Sequence, residues 1–356
     1  MIARAPLVGL LVLAACGPTP IADARQDLLV SWGDWLLDRY AASAAAADAL
    51  GVAVADLCAA PDAARLETAR AAWHDARRPW KQAEVFAFGP YSEEPLRLGP
   101  KADFWPARPD AVREVLAGEG PIVPAALGAQ QKGFAAIELL LWDPEVADLP
   151  RALATEPRRC LYLAALVPDL AARVRELAAV WSPSGGDFLG ELTEAGERDT
   201  MYESLHMAFG EVVNRVGYLV ENVRNDKLAR PAGLVSAGGV QPDKLESPFS
   251  GRALDDVRDN LDGVQRLLLG DGDDLGLDGY LRGRGRFLRP LVADRLAAAR
   301  AALDDLEAAG PITMAIADTP RVEALIARLG ELQRAIQVDV LSALSLTVGF
   351  NDNDGD

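Results

Sequence analysis

The sequence predicts an all-α protein, built as two helical-bundle halves packed side by side with a cleft between them. Alanine is abundant, runs of β-branched residues are scarce, and long stretches repeat apolar residues at three- and four-residue steps. A Pro- and Gly-containing break at residues 182–186 separates the two halves. The helical spacing is clearest near the start of the chain, at Leu28, Trp32, Trp35, Leu36 and Tyr40.

The first half, residues 25–185, is predicted to hold four helices. Pro61-Asp62 is a typical helix start, and Gly89-Pro90 is a typical helix end. Residues 91–109 are rich in Pro and Gly, which predicts a long connection of the kind that often carries function. The predicted helices cover residues 23–58, 61–88, 129–142 and 150–181.

The second half, residues 186–356, is also predicted to be helical. Residues 230–250 are expected to form a loop, and the acidic, Gly-containing run 270–274 a turn. No run of alternating polar and apolar residues, the pattern typical of β-strands, interrupts the helical spacing. The predicted helices of this half cover residues 200–227, 252–269, 290–309 and 320–346.

The N-terminus carries an export signal. Arg4 precedes an apolar run at residues 7–15, which is too short to span a bilayer and fits the core of a secretory signal. The run ends Leu-Ala-Ala-Cys-Gly, which resembles the lipobox of bacterial lipoproteins; the alternative is an ordinary signal peptide that contains a cysteine. The resemblance implies that residues 1–15 are removed, that Cys16 is acylated, and that residues 16–24 form a lipidated tether.

This resemblance also implies a location. The chain is expected in the cell envelope, held to the membrane by its lipid and facing the periplasm. Gly17 follows the cysteine where an aspartate would favour the inner membrane, so the outer membrane is favoured.

Cysteine usage predicts a disulfide. Assigning Cys16 to lipid leaves Cys58 and Cys160, and an even number of cysteines in an oxidising compartment is typical of disulfide bonding. The alternative is two separately buried thiols.

Charge and histidine content exclude several functions. The net charge of −17 would repel nucleic acid, so no nucleic-acid partner is expected. Only two histidines exist, His74 and His206, whereas a catalytic zinc site usually needs two or three. No His-Glu-x-x-His or Gly-x-Ser-x-Gly sequence is present. His74 is expected to be a surface or helix-packing residue, and His206 a residue at the edge of the core.

Four segments spread over nearly the whole mature chain share a resemblance. They are residues 72–90, 133–142, 247–254 with its continuation to Asn260-Leu261, and 348–356. Taken in this order, they resemble the imelysin-like family, also called the M75 peptidase family, which includes iron-regulated periplasmic proteins. The resemblance implies an all-helical fold whose two halves meet at a functional cleft.

The family motif is Gly-x-His-x-x-Glu, and this chain departs from it. Gly133 and Glu138 match, but the histidine position holds Ala135. Positions three apart share a helix face, so a His–Glu pair there could hold a metal or move a proton, whereas alanine offers neither donor nor lone pair. Glu138 in a Leu-rich helix is then either the remnant of a binding site or part of a structural ion pair, with Arg252 as one candidate partner.

Polar residues inside apolar stretches predict where the site lies. Unpaired buried charges are costly, so Glu84, Glu138 and Arg252 should find one another or a ligand at the junction of the halves. The alternative is that each forms its own surface salt bridge. The remaining members of the predicted binding site are Trp73, Trp105, Asp352 and Asp354.

The resulting functional expectation is a non-enzymatic binding lipoprotein linked to iron or other metal acquisition, with an envelope protein as an expected partner. The metal, iron or another divalent cation, is implied by the resemblance alone. Two alternatives remain open at this stage: an M75-type metallopeptidase, and a structural or partner-binding envelope protein that has lost the metal site.

Overall fold

The computed structural model describes residues 23–235, 238–271 and 276–349, and within these ranges the chain forms helices and no β-strand. The all-α prediction is confirmed. Cys16, the predicted acylation site, and Asp352 and Asp354, predicted members of the binding site, lie outside the described residues. The α-helices in chain order are α1 Ala24–Ala59, α2 Ala63–Ala83, α3 Gly99–Ala102, α4 Pro109–Ala117, α5 Gly133–Trp142, α6 Leu149–Thr155, α7 Pro157–Trp181, α8 Phe188–Thr193, α9 Leu205–Asn222, α10 Ala253–Leu269, α11 Leu277–Gly283, α12 Arg289–Glu307, α13 Ile312–Ala315, α14 Thr319–Arg334 and α15 Leu341–Leu344.

Three of these α-helices continue into a 3-10 turn or a π-helical segment. A 3-10 turn at Glu84–Phe86 continues α2. The π-helical segments Val223–Ala229 and Ala335–Val340 continue α9 and α14. Such π segments are uncommon and often occur at functional sites.

Local sequence explains where the long helices begin. Asp23, Asp62 and Ser204 each precede a helix and accept a hydrogen bond from a backbone N–H of its first turn. These caps satisfy donors that have no partner within the helix and typically contribute about 1 kcal/mol each.

Each half packs mainly on itself, and the two halves meet mainly through α2 and α10, with further contacts of α1 to α8, α9 and α11. In the first half α1 packs against α2 and α7, while α5 fills the space beside α2 and α7. In the second half α12 and α14 pack together, next to α10 and α9. The α2–α10 contact is close at Gly263, where a Cβ atom would lie 2.3 Å from the Gln82 carbonyl oxygen. A side chain at this position would force the halves apart.

The helix α1 is the one described helix that is long and apolar enough to cross a membrane by length and composition. Its largest apolar side chains nevertheless lie in the core, since Leu29, Trp32, Leu36 and Leu50 are each at most 1% exposed, whereas Val30 and Val52 face outwards. In this fold α1 therefore works as the central helix of the first bundle.

A disulfide bond joins the end of α1 to the first turn of α7. The Cα atoms of Cys58 and Cys160 lie 5.6 Å apart, and the two residues are 102 positions apart in sequence. The cross-link closes the first bundle across two of its long helices.

Several boundaries differ from the sequence prediction. The helix expected over residues 150–181 is broken at Glu156 into α6 and α7, since Pro157 can start a helix but cannot continue the preceding one. The helix expected from residue 200 begins at Leu205, after the Ser204 cap. The sequence reading also missed the short helices α3, α4, α8, α11 and α13.

Candidate functional site

Glu138 lies on α5 and is almost completely buried, at 1% exposure. Its Oε1 atom accepts three hydrogen bonds from the loop before α10: from Phe249 N at 3.1 Å, from Ser250 N at 2.8 Å and from Ser250 Oγ at 2.6 Å. Burial raises the pKa of the carboxyl to about 7, although the bonds from Ser250 oppose this rise. Glu138 therefore ties the first half of the molecule to the second.

Gly133, the first residue of α5, is required by the backbone. Its φ angle is +73°, and a Cβ atom would lie 2.2 Å from the carbonyl oxygen of Ala102. Both the left-handed conformation and the close approach favour glycine. The role of this motif position is therefore to seat α5, and Gly133 offers no side chain to a ligand.

A small cavity opens beside Glu138. The space between its lining atoms is about 210 Å³, of which only about 10 Å³ admits the centre of a water molecule. A space of that size holds about one water. Ala135 lines it, together with Trp105, whose buried Nε1 has no hydrogen-bond partner among the described residues. The other lining residues are Arg77, Asp103, Phe104, Ala107, Glu138, Glu246, Ser247 and Pro248.

Arg77 of α2 is the centre of the ion pairs behind this cavity. Its side chain is 2% exposed. Its Nε atom lies 2.8 Å from Asp256 Oδ2, its Nη1 atom 3.0 Å from Asp103 Oδ1, and its Nη2 atom 3.4 Å from Glu246 Oε1. Burial alone would lower the pKa of Arg77, but these three carboxylates hold it well above its usual value.

Trp73 does not line the cavity, contrary to the prediction. It lies on α2 one helical turn before Arg77 and packs against the side of the Arg77 guanidinium. The Arg77 guanidinium carbon is 5.4 Å from the centre of the Trp73 ring and equally far from the Phe134 ring. The Trp73 indole N–H donates to the Phe134 carbonyl at 3.2 Å. The tryptophan is therefore a wall of the arginine pocket.

Two buried lysines form further ion pairs between Arg77 and the π segment that follows α9. Lys81 Nζ lies 2.6 Å from Glu246 Oε1 and 2.7 Å from Glu84 Oε2. Lys227 Nζ, on the π segment, lies 2.6 Å from the same Glu84 oxygen. Asn260 of α10 donates to Glu84 at 2.7 Å and accepts from Lys227 at 2.8 Å. The lysines keep Glu84 charged, since they hold its pKa below the usual value against the effect of burial.

Arg252, at the start of α10, is the last cation of this group of ion pairs. Its Nε atom donates to Asp256 Oδ1 at 3.0 Å, and its Nη2 atom donates to Asp259. Burial raises the pKa of Asp259 to about 7, although Arg252 opposes this rise. Asp256 also accepts a hydrogen bond from Ser247 Oγ and the ion pair from Arg77, so it links Arg252 to the centre of the arrangement.

These charged residues form one connected group, which we call the junction network. Each of its carboxylates lies within 4 Å of at least one of its cations. The cations are Arg77, Lys81, Lys227 and Arg252; the carboxylates are Glu84, Asp103, Glu246, Asp256 and Asp259.

Comparison with known proteins places this architecture in a family. The model of the imelysin family, peptidase family M75, matches residues 36–336. The chain belongs to the imelysin family. It is 30% identical over 289 residues to Iron-regulated protein A of Synechococcus elongatus, which covers 80% of this chain and 75% of that protein.

Solved structures agree on the fold. An imelysin-like protein from Psychrobacter arcticum superposes with a TM-score of 0.70 at 18% identity, over 92% of this chain and 97% of the other. The structure titled a putative iron-regulated protein A precursor from Parabacteroides distasonis gives a TM-score of 0.75 at 20% identity, over the same shares of the two chains. At these identities the likeness establishes the shared fold.

The residues at the imelysin motif do not fit a bound metal ion. Ala135 supplies no ligand atom, and Oε1 of Glu138 already accepts three hydrogen bonds. The neighbouring carboxylates are neutralised by arginine and lysine. Across the described ranges, no group of three or more His, Cys, Asp or Glu side chains is arranged to hold a metal.

The structure brings most of the predicted site together but changes the pairing. Glu84 and Arg252 belong to the junction network, and Glu138 reaches it through the loop that carries Ser247 and Ser250. The suggested Glu138–Arg252 ion pair is wrong, because Arg252 is taken by two aspartates of its own helix and Glu138 by the Ser250 loop. The sequence reading missed Arg77, Lys81, Asp103, Lys227, Glu246, Asp256, Asp259 and Asn260.

A second, more open cavity lies where α1, α2 and α10 meet. About 270 Å³ of it admits the centres of water molecules. Arg39 reaches into it, with its guanidinium 6.0 Å from the ring centre of Trp35 and 3.3 Å from the Gln82 amide oxygen. This cavity is larger than the one beside Glu138 and has a polar lining.

The raised pKa of Glu138 predicts a measurable pH dependence of stability. The pKa is about 7 in the folded chain against an ordinary value of 4.5, so the folded protein holds more protons than the unfolded one between these values. The contribution of Glu138 to stability therefore falls as the pH rises from about 4.5 to 7. Glu138→Gln keeps an acceptor for Ser250 and removes the titration. Relative to the parent, it should gain about 2–3 kcal/mol between pH 5 and pH 8 in urea unfolding.

The control for this experiment is Glu145→Gln, which changes an exposed carboxylate. It measures how the change of an exposed carboxylate to an amide affects stability over the same pH range. A Glu138→Gln profile that follows the profile of this control would contradict the raised pKa of Glu138.

Proposed function

We propose that this protein is a non-enzymatic binding lipoprotein of the cell envelope that works in the acquisition of iron or another metal. Three observations support the proposal. The N-terminal sequence resembles a lipoprotein signal, the chain belongs to the imelysin family, and a relative at 30% identity is named Iron-regulated protein A. The outer membrane is the proposed location because Gly17, not aspartate, follows Cys16.

The junction network carries the non-enzymatic part of the proposal. Its carboxylates are already paired with cations, so none of them is available as a free base or as a metal ligand without breaking a buried ion pair. Activation of water for peptide hydrolysis by a metal requires an open coordination position on a held ion. The residues at the motif support neither the binding of such an ion nor an open coordination position on it.

The motif also retains a binding function that needs no ion at position 135. Glu138 and Gly133 seat α5 against the second half, and the loop held by Glu138 forms one wall of the cavity lined by Trp105. In this proposal the protein assists metal uptake by holding a partner or a metal-carrying molecule at the envelope, and does not coordinate a bare ion at the motif.

Peptidase activity should therefore be absent. The test is incubation of the purified protein with an unfolded protein substrate, with added Zn²⁺ or Fe²⁺ and with chelator. We expect no cleavage above the background of a Glu138→Ala variant, prepared in parallel. Cleavage that the chelator abolishes, and that Glu138→Ala also abolishes, would overturn the non-enzymatic assignment.

Restoring the family histidine is the sharper test of the site. Ala135 lines the cavity beside Glu138, so Ala135→His places an imidazole next to that carboxylate. In calorimetric titration with Zn²⁺, this variant should bind at least about tenfold more tightly than the parent, since a missing ligand costs at least as much as a missing outer-shell partner. Ala154→His, on the exposed surface of α6, is the matched control. Equal affinity of parent and Ala135→His would contradict the assignment of Ala135 as the missing ligand.

A further inference from the structure

An arginine-rich segment, formed by the last turn of α11 and the loop that leads to α12, is an unusual surface of this acidic protein. Residues 282–287 are all exposed, and Phe287 has 74% of its surface accessible. Three arginines alternate with glycines in front of this phenylalanine: Arg282, Arg284 and Arg286. We call these four side chains the basic-aromatic loop.

Within the described residues these three arginines form no ion pair, although the chain carries a net charge of −17. Their neighbour Arg289 is paired with Asp278 at 2.8 Å, but none of the carboxylates in the described ranges forms an ion pair with Arg282, Arg284 or Arg286. Arg284 contacts Tyr280: its guanidinium lies 5.1 Å from the centre of the ring, and its Nη1 atom donates a hydrogen bond to the Tyr280 hydroxyl. Unpaired guanidinium groups remain available to bind phosphate.

The basic-aromatic loop lies at the end of the molecule where α1 begins. The helix α11 packs against α1, and Tyr280 of α11 contacts Phe209 of α9, with ring centres 5.6 Å apart. A hydrogen bond from Arg25 lowers the pKa of Asp23, and the positive charge of Arg284 lowers it further, which places Arg284 near the first turn of α1. This is the end from which the chain leads back to Cys16.

The length of the preceding segment limits how far this end can be from a lipid anchor. From Asp23 to Cys16 there are seven residue steps, which span at most about 25 Å when fully extended. An acyl chain on Cys16 would therefore keep the basic-aromatic loop close to the membrane surface. Elsewhere the acidic surface of the protein would be repelled by anionic lipids.

We propose that the basic-aromatic loop docks onto anionic phospholipid headgroups of the membrane that holds the N-terminal lipid, and so fixes the orientation of the protein on that membrane. The inference rests on the lipid anchor in the proposed function. Guanidinium groups form charge-assisted hydrogen bonds to phosphate, and an exposed aromatic ring enters the interfacial region. Each arginine near an anionic surface favours docking about fivefold, so the three together favour it about a hundredfold.

The test uses the full acylated protein purified from the envelope and inserted into vesicles through its own lipid. Hydrogen exchange of the amides in residues 281–288 is followed on vesicles of phosphatidylcholine alone and on vesicles with 30% phosphatidylglycerol (roughly an anionic bacterial leaflet). We expect slower exchange in this segment on the anionic vesicles only, and loss of that protection in high salt.

The decisive variant changes Arg282, Arg284 and Arg286 to Gln. It should lower the docking constant about a hundredfold and abolish the protection on anionic vesicles. The matched control changes three exposed arginines of other helices, Arg65 of α2, Arg151 of α6 and Arg175 of α7, and should leave the protection intact. Arg175 contacts Asp48, about 36 Å along α1 from its first residue.

The possible outcomes distinguish a failure of the docking proposal from a failure of the proposed lipid anchor. Failure of the parent to float with pure phosphatidylcholine vesicles would count against the lipid anchor of the proposed function, whereas exchange at residues 281–288 reports the loop alone. Equal exchange on the two kinds of vesicle, or protection that survives the triple Gln change, would overturn the docking proposal.

Discussion

Replacing Arg77 with Met should lower the free energy of unfolding by about 3–5 kcal/mol, because it takes the nearest cation from the buried Asp103 carboxylate and one of the cations from Glu246 and Asp256. Asp103, Glu246 and Asp256 surround Arg77, and all of these side chains are at most 5% exposed. Removal of one partner of a buried pair is strongly destabilising even where the intact pair contributes little net stability. Urea unfolding at neutral pH measures the change.

The neighbouring residue supplies the control. Arg78 is 65% exposed and lies 3.8 Å from Asp259, so Arg78→Met should cost less than about 1 kcal/mol. Equal losses for the two variants would mean that the junction network is hydrated and not buried.

Removing the disulfide should have an effect of similar size. Cys58 and Cys160 close a segment with a sequence separation of 102, for which the chain-entropy account gives about 4–5 kcal/mol. The double variant Cys58→Ala, Cys160→Ala should lose stability by about that amount in urea unfolding. The stability of the parent should fall similarly when a reductant is added, whereas the double variant should not respond to it. A parent that is insensitive to the reductant would contradict the presence of the bond in solution.

The fold could be predicted from sequence because helical spacing and end signals are local. The first helix was expected over residues 23–58 and is observed as Ala24–Ala59. The break at Glu156 was missed, although Pro157 is a signal that could have located it. The π segment that carries Lys227 has no comparable signal, since its wider turns depend on tertiary contacts.

The site could be predicted only in part, for a related reason. Glu84, Glu138 and Arg252 stood out because charged residues are unusual within apolar helices. Their partners Asp103 and Glu246 lie in loops, where acidic residues are common, so the sequence did not distinguish them from surface residues. Arg77 and Lys81 are spaced four apart on one face of α2, and this spacing was the available signal for a cationic face turned inwards.

The central claim is that this imelysin keeps the family architecture at its motif but fills the junction of the two halves with its own ion pairs. Anomalous X-ray diffraction from crystals soaked in Zn²⁺ tests it most directly. The account predicts no anomalous peak within coordination distance of Glu138 in the parent and a peak there in crystals of Ala135→His. A peak at Glu138 in the parent would contradict it.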